Sequence, residues 1–251
     1  MGLDLYAGPV SRYLAGDWST IVQQAGDAAG TPVMVLRADS GGQIDFSQLD
    51  ALTQPQPKID VARVVQDVAR WRSEIIRSLG LNEEWNEDVN GEFYTDKPGW
   101  EGYGAVMLLA AYDEQPSLAP GTKIRRLLGS STVATVEPVQ FQDAQAFKAA
   151  YESPARYPTL LRGAEWCLPL DGGPTLFAAP VPSGNQVTMG HVDRLLRELN
   201  ELNDRTLRLT TADLEAARQA GPIEPFRFGL GVLMASAQFA VSHRATWIMD
   251  Y

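Results

Sequence analysis

Histidine and cysteine are nearly missing from this 251-residue chain, which has two histidines, His191 and His243, and one cysteine, Cys167. A lone cysteine excludes an internal disulfide and any multi-cysteine metal site. Two histidines with no H-E-x-x-H spacing exclude a histidine-rich one. Basic residues are also scarce: 21 Lys and Arg stand against 31 Asp and Glu, for a formal net charge of −10. That balance argues against nucleic acid and against an anionic membrane surface as partners, because both select a basic footprint. The charge-free apolar stretch 228–242 falls short of the roughly 20 residues that cross a bilayer. The opening MGLDLYAGPV lacks the basic flank and apolar run of a signal peptide. A cytoplasmic protein is the expectation.

Catalytic motifs are lacking as well. There is no G-x-S-x-G elbow, no G-x-G-x-x-G and no P-loop. Cys167 sits in EWCLPL, a strand-like run where a small buried hydrophobe is expected. Asn86, Asp88, Asn90 and Gly91 imitate the first half of a calcium loop, but its twelfth position is Lys97 where a bidentate Glu is required. No catalytic residue, metal or cofactor is nominated.

What the chain does have is a strong core pattern. From Phe226 to Tyr251 it reads FRFGLGVLMASAQFAVSHRATWIMDY. At 100° per residue, Leu230, Leu233, Met234, Ala237 and Val241 share one face, while Val232 and Phe239 point nearly opposite. A helix apolar all round is buried all round, so 228–242 is predicted as the central helix, entered through Pro225. The stretch 104–112 (GAVMLLAAY) is predicted as a second such helix. Asp60 caps and Gly80 ends an amphipathic helix over 60–79, carrying Val61, Val64, Val65, Val68, Trp71, Ile75, Ile76 and Leu79. Another amphipathic helix is predicted over 191–203, and shorter helices over 18–24, 142–151 and from Thr211 or Asp213 to Gly221. Strands are expected at residues 3–6, 32–36, 133–136, 165–170 and 175–181 and after Arg244, with Asp171-Gly172-Gly173 as a hairpin turn. The segment 39–58 reads as loop.

The fold expected is a single α+β domain over 1–251. Its two buried helices sit centrally, covered by 60–79 and 191–203, and the strands at the two chain ends pair.

The segment NEEWNEDVNGEFYTDKPGWEGY, 82–103, is the least core-like. Glu83, Glu84, Glu87, Asp88, Glu92 and Glu101 interleave with Trp85, Tyr94 and Trp100. As a contact surface, its aromatics would anchor a partner and its carboxylates would steer a basic one. Arg72 falls within the apolar stripe of 60–79. It is read either as a side chain whose head reaches water or as a guanidinium held beside a pocket.

The two ends, MGLDLYAGP with Arg12-Tyr13 and Asp17-Trp18, and FGLGVLMASAQFAVSHR with MDY, resemble uncharacterised bacterial cytosolic proteins, some of which are similar to immunity proteins of toxin-delivering secretion systems. The resemblance implies a protein that neutralises a basic partner such as a toxin, and it brings no catalytic motif with it. The alternative expectation is a small hydrolase using carboxylates of 83–103.

Overall fold

A computed structural model describes residues 2–29, 59–82, 85–119 and 137–251. The predicted strands 32–36 and 133–136 and the loop 39–58 lie outside these. The described residues build an α+β fold around one six-stranded sheet. Its strands are β1 (Asp4–Gly8), β2 (Tyr94–Asp96), β3 (Trp166–Leu168), β4 (Phe177–Pro180), β5 (Gln186–His191) and β6 (Thr246–Asp250), in the order β2-β1-β6-β3-β5-β4. The two chain ends pair, with β1 antiparallel to β6 from Asp4↔Asp250 to Gly8↔Thr246.

Period-two alternation decides which face each strand residue serves. Leu5, Ala7, Cys167 and Trp247 point into one core. Tyr6, Trp166, Leu168 and Ile248 point into the other. The first core holds both predicted central helices, α4 (Gly99–Glu114) and α9 (Pro225–Ser242), packed against each other. Their backbones meet at glycines. A Cβ on Gly229 would overlap the Gly102 carbonyl, and on another side of α4 one on Gly104 would overlap the carbonyl of Pro138 in the 3₁₀ turn Pro138–Asp143. The single polar side chain fully buried in α9, Ser236, donates to the Leu233 carbonyl (3.0 Å) and accepts from Trp247 Nε1 (2.9 Å).

Burial around α9 is not complete. Met234, Ala235 and Phe239 are half-buried and Gln238 is exposed. The last turns reach the sheet's edge, where Phe239 stacks on Tyr94 of the edge strand, with ring centres 5.6 Å apart.

The helix α3 (Val61–Leu79) has the predicted ends. Asp60 accepts from the Arg63 N–H (3.1 Å), and Gly80 closes it in the left-handed conformation at φ 68°. It does not cover the central helices, however. Val68, Trp71 and Ile75 pack on the opposite face of the sheet, against Tyr6, Trp166 and Ile248, while Val61 and Val65 remain exposed. The helix α7 (Val192–Arg205) does pack on α9.

Near the N-terminus, α1 (Val10–Ala15), which no sequence pattern announced, starts from Pro9 and stops at Gly16 (φ 69°). The helix after it, α2 (Ile21–Ala28), is capped by Thr20 in a capping box with Gln23. In the 165–191 region, β3 and β4 do not form a hairpin. The missed strand β5 lies between them, parallel to β3 and antiparallel to β4. The helices α5 (Gln145–Glu152), α6 (Pro158–Leu161) and α8 (Thr211–Ala220) complete the elements used below. No helix among the described residues is long and apolar enough to cross a membrane.

Candidate partner-binding site

The segment 82–103 does not lie on one surface. Glu83 and Glu84 lie outside the described residues. Trp85, predicted as an exposed anchor, is 3% exposed and meets Trp71 edge-on at 5.9 Å. Its indole N–H donates to Glu87 Oε1 (2.6 Å). Glu87 Oε2 accepts from the Ser11 N–H (3.0 Å), and the Ser11 hydroxyl donates to the Glu87 carbonyl (2.9 Å), so this carboxylate closes the start of α1. Burial pushes the Glu87 carboxyl up to about 7, against the hydrogen bonds and the Arg72 charge that favour ionisation. Trp85 is therefore internal, and the half-buried Glu87 carboxylate is held by contacts within the protein. An apolar ring and a carboxylate that stabilise each other are buried together more favourably than either alone.

Arg72 is half-buried, and Nη1 donates to the Trp85 carbonyl (2.8 Å). It tethers the 85–87 turn to α3. It does not line the pocket described below.

The rest of the segment divides between the two ends of the sheet. Asp88 and Glu92 are exposed at the end where Gly8 faces Thr246. There the side-chain oxygens of Asn86 and Asp88 accept from the N–H groups of Asp88 and Asn90, both at 3.0 Å. Glu92 Oε2 lies 3.1 Å from His243 Nε2. Strand β2 then carries the chain about 10 Å along the sheet at roughly 3.3 Å per residue. In it, the Tyr94 hydroxyl donates to Asp96 Oδ2 (2.7 Å), which also takes Arg218 Nε (3.1 Å). Burial raises the Tyr94 phenol. Trp100 and exposed Glu101 sit at the opposite end, beside Tyr251.

At that end lies a pocket of about 550 Å³. Trp100, Tyr103 and Met107 line it from α4 at helical spacing, with Phe147 and Tyr151 from α5 and Phe141 from the 3₁₀ turn before it. The rings form a ladder: Trp100–Tyr103 at 6.1 Å, Tyr103–Phe141 at 5.8 Å and Phe141–Phe147 at 4.8 Å, each pair close to perpendicular. Such edge-to-face contacts are favoured by the ring quadrupoles and hold the walls rigid. Tyr251 crosses the mouth 5.7 Å from Trp100, and its hydroxyl donates to Glu165 Oε1 (2.8 Å). Burial, then this bond, pushes the Tyr251 phenol up to about 12. Lys148 and Arg162 line the pocket along with Glu152 and Glu165, so its rim is balanced in charge. Apart from Trp100 and Tyr103, its residues lie outside 82–103 and far apart in sequence, which left no local signal.

Nucleophilic chemistry finds little purchase here. Cys167 is fully buried and its thiol is raised by burial. Ser242 and Glu92 each lie within hydrogen-bond reach of His243, at Nδ1 and Nε2, but His243 Nδ1 is also 2.9 Å from the Phe239 carbonyl. A proton on Nδ1 serves that carbonyl and leaves this nitrogen unable to act as base toward Ser242. Among the described residues no three His, Cys, Asp or Glu side chains gather as a metal site. No family model, no curated protein and no solved structure matches the chain.

Proposed function

We propose that the protein is a binding protein that captures a basic protein partner, as an immunity-type neutraliser does, and that the pocket beneath Trp100 is its point of engagement. The observation that carries this reading is the preformed aromatic pocket of about 550 Å³ at an exposed end of the sheet. Rigid aromatic walls accept an anchoring side chain at low entropic cost. Exposed Glu101 beside it and the net charge of −10 favour approach of a basic surface. The hydrolase alternative has less support, because the carboxylates of 85–103 do not converge: Glu87 is held by Ser11 and Trp85, Asp96 is bound to Arg218, and Glu92 and Glu101 lie at opposite ends of the sheet.

Affinity capture from the native cell with wild-type and Trp100→Ala protein tests the proposal. The expected result is a protein retained by the wild type, released by salt and lost with Trp100→Ala, since an aromatic anchor contributes about 2 kcal/mol or more. Identical recovery by both folded proteins would sink it.

A further inference from the structure

A second pocket, of about 290 Å³, lies on the other side of the same sheet end. It shares Glu165, Met249 and Tyr251 with the first. The first pocket opens from the core that holds α4, and the second is walled by Trp166 and Val181 of the opposite core. The hydrogen-bonded pair Tyr251–Glu165 is thus a partition between them, standing where β6 ends and β3 begins. Their chemistry differs. The first has aromatic walls and a rim balanced in charge. Among the described residues lining the second, the charged ones are Glu165 and Asp250, both acidic, and they stand with the rings of Tyr13, Trp166 and Tyr251. Carboxylates beside aromatic rings attract a cationic side chain both by charge and through the ring quadrupole.

We infer that the two pockets are halves of one groove that takes an extended segment of a protein partner, with an apolar or aromatic side chain under Trp100 and a Lys or Arg side chain between Tyr13, Trp166 and Asp250. This rests on the binding reading above and names the chemistry of the segment bound. The first pocket supplies apolar contact without selecting charge, and the second selects a cation. Together they demand an apolar residue and a basic one a few residues apart.

Calorimetric titration with two capped tetrapeptides tests the groove. Both start with phenylalanine and continue with two glycines, and they end in arginine or in glutamate. At low salt the arginine peptide is expected to bind about tenfold or more tighter than the glutamate peptide, a preference that shrinks as salt screens the carboxylates. Asp250→Asn should reduce the preference several-fold. Because Asp250 also accepts from the Tyr13 hydroxyl (3.0 Å), exposed Ser183→Lys serves as a second variant, adding a cation to the same pocket without touching that bond. Equal affinity for the two peptides, no binding of the arginine peptide, or a preference unchanged in both variants would overturn the groove. The two readings can fail separately. Equal peptide binding that is lost with Trp100→Ala removes the cation pocket and keeps the aromatic one. Discriminating peptides alongside identical cell-extract recovery by wild type and Trp100→Ala removes the proposed capture and keeps the groove.

Discussion

The two faces of the sheet are stabilised in different ways. On the α4–α9 side, backbone meets backbone where Gly102 faces Gly229 and where Gly104 faces Pro138 of the 3₁₀ turn, and Ser236 is the only fully buried polar side chain of α9. On the α1–α3 side, large rings leave gaps that polar groups close: Trp71, Trp85 and Trp166 meet edge-on, and Glu87 and Arg72 tie down the turn between them. The α4–α9 contact therefore tolerates no added atoms at those glycines, whereas the ring cluster across the sheet depends on the protonation and hydrogen bonding of Glu87. Close packing is unforgiving of volume; a buried polar network is unforgiving of a lost partner.

Volume is the sharpest way to break the comparison. Gly229→Val or Gly104→Val should cost about 3 kcal/mol or more, because the new side chain meets backbone rather than a mobile side-chain end. Far-ultraviolet circular dichroism and chemical denaturation would show it, and a native-like variant would mean the helices can separate. Leu230→Asp should likewise prevent folding, while Phe239→Asp, at the half-buried edge of the same helix, should leave a folded protein.

Protonation comes next. A carboxyl whose folded value lies above its unfolded one binds its proton more tightly in the folded state. Its contribution is complete below about 4.5 and is lost as pH rises to about 7 for Glu87. Burial raises Glu198 as well, where it accepts from the N–H groups of Thr159 (3.1 Å) and Leu160 (2.9 Å), so it acts with the same sign. Stability should fall between pH 5 and 7, by on the order of 2–3 kcal/mol from Glu87. Glu87→Gln should flatten that slope in denaturation curves taken across the range, leaving the part due to Glu198. An unchanged slope would show that Glu87 ionises freely.

Smaller effects sharpen the boundary between interior and surface. Arg72→Met should cost about 1.5–2 kcal/mol by removing a charged donor from the Trp85 carbonyl, more than a solvated side chain and less than a broken buried ion pair. Glu92→Gln should cost less than about 0.5 kcal/mol, because the His243 contact it removes is exposed. Thermal or chemical denaturation separates the two.

Legibility in the sequence followed periodicity. The apolar run 104–112, the capped stripe 60–79 and the leucine face of 191–203 all appear as helices, because each carries its own start, stop or face within one segment. The strands β2 and β5 were missed. β2 spans three residues, too few for a period to show, and QVTMGH alternates weakly because its two ends differ in burial. The acidic–aromatic composition of 82–103 was visible, but which of its residues face outward was not. Trp85 and Trp100 occupy similar local sequence, and one is core while the other lines the pocket.

From the sequence alone came the fold class, the burial of two helices, the pairing of the chain ends and the lack of a catalytic motif, because burial and capping are written in patterns a few residues long. Tertiary structure alone decided that α3 lies across the sheet from the central helices, that Glu87 closes the start of α1, and that rings from α4, α5 and the end of β6 line a pocket. Those outcomes depend on which distant segments meet. A carboxylate or an indole has the same local sequence whether its neighbour is water or another part of the chain, and only the packed partner sets the difference in its solvation energy.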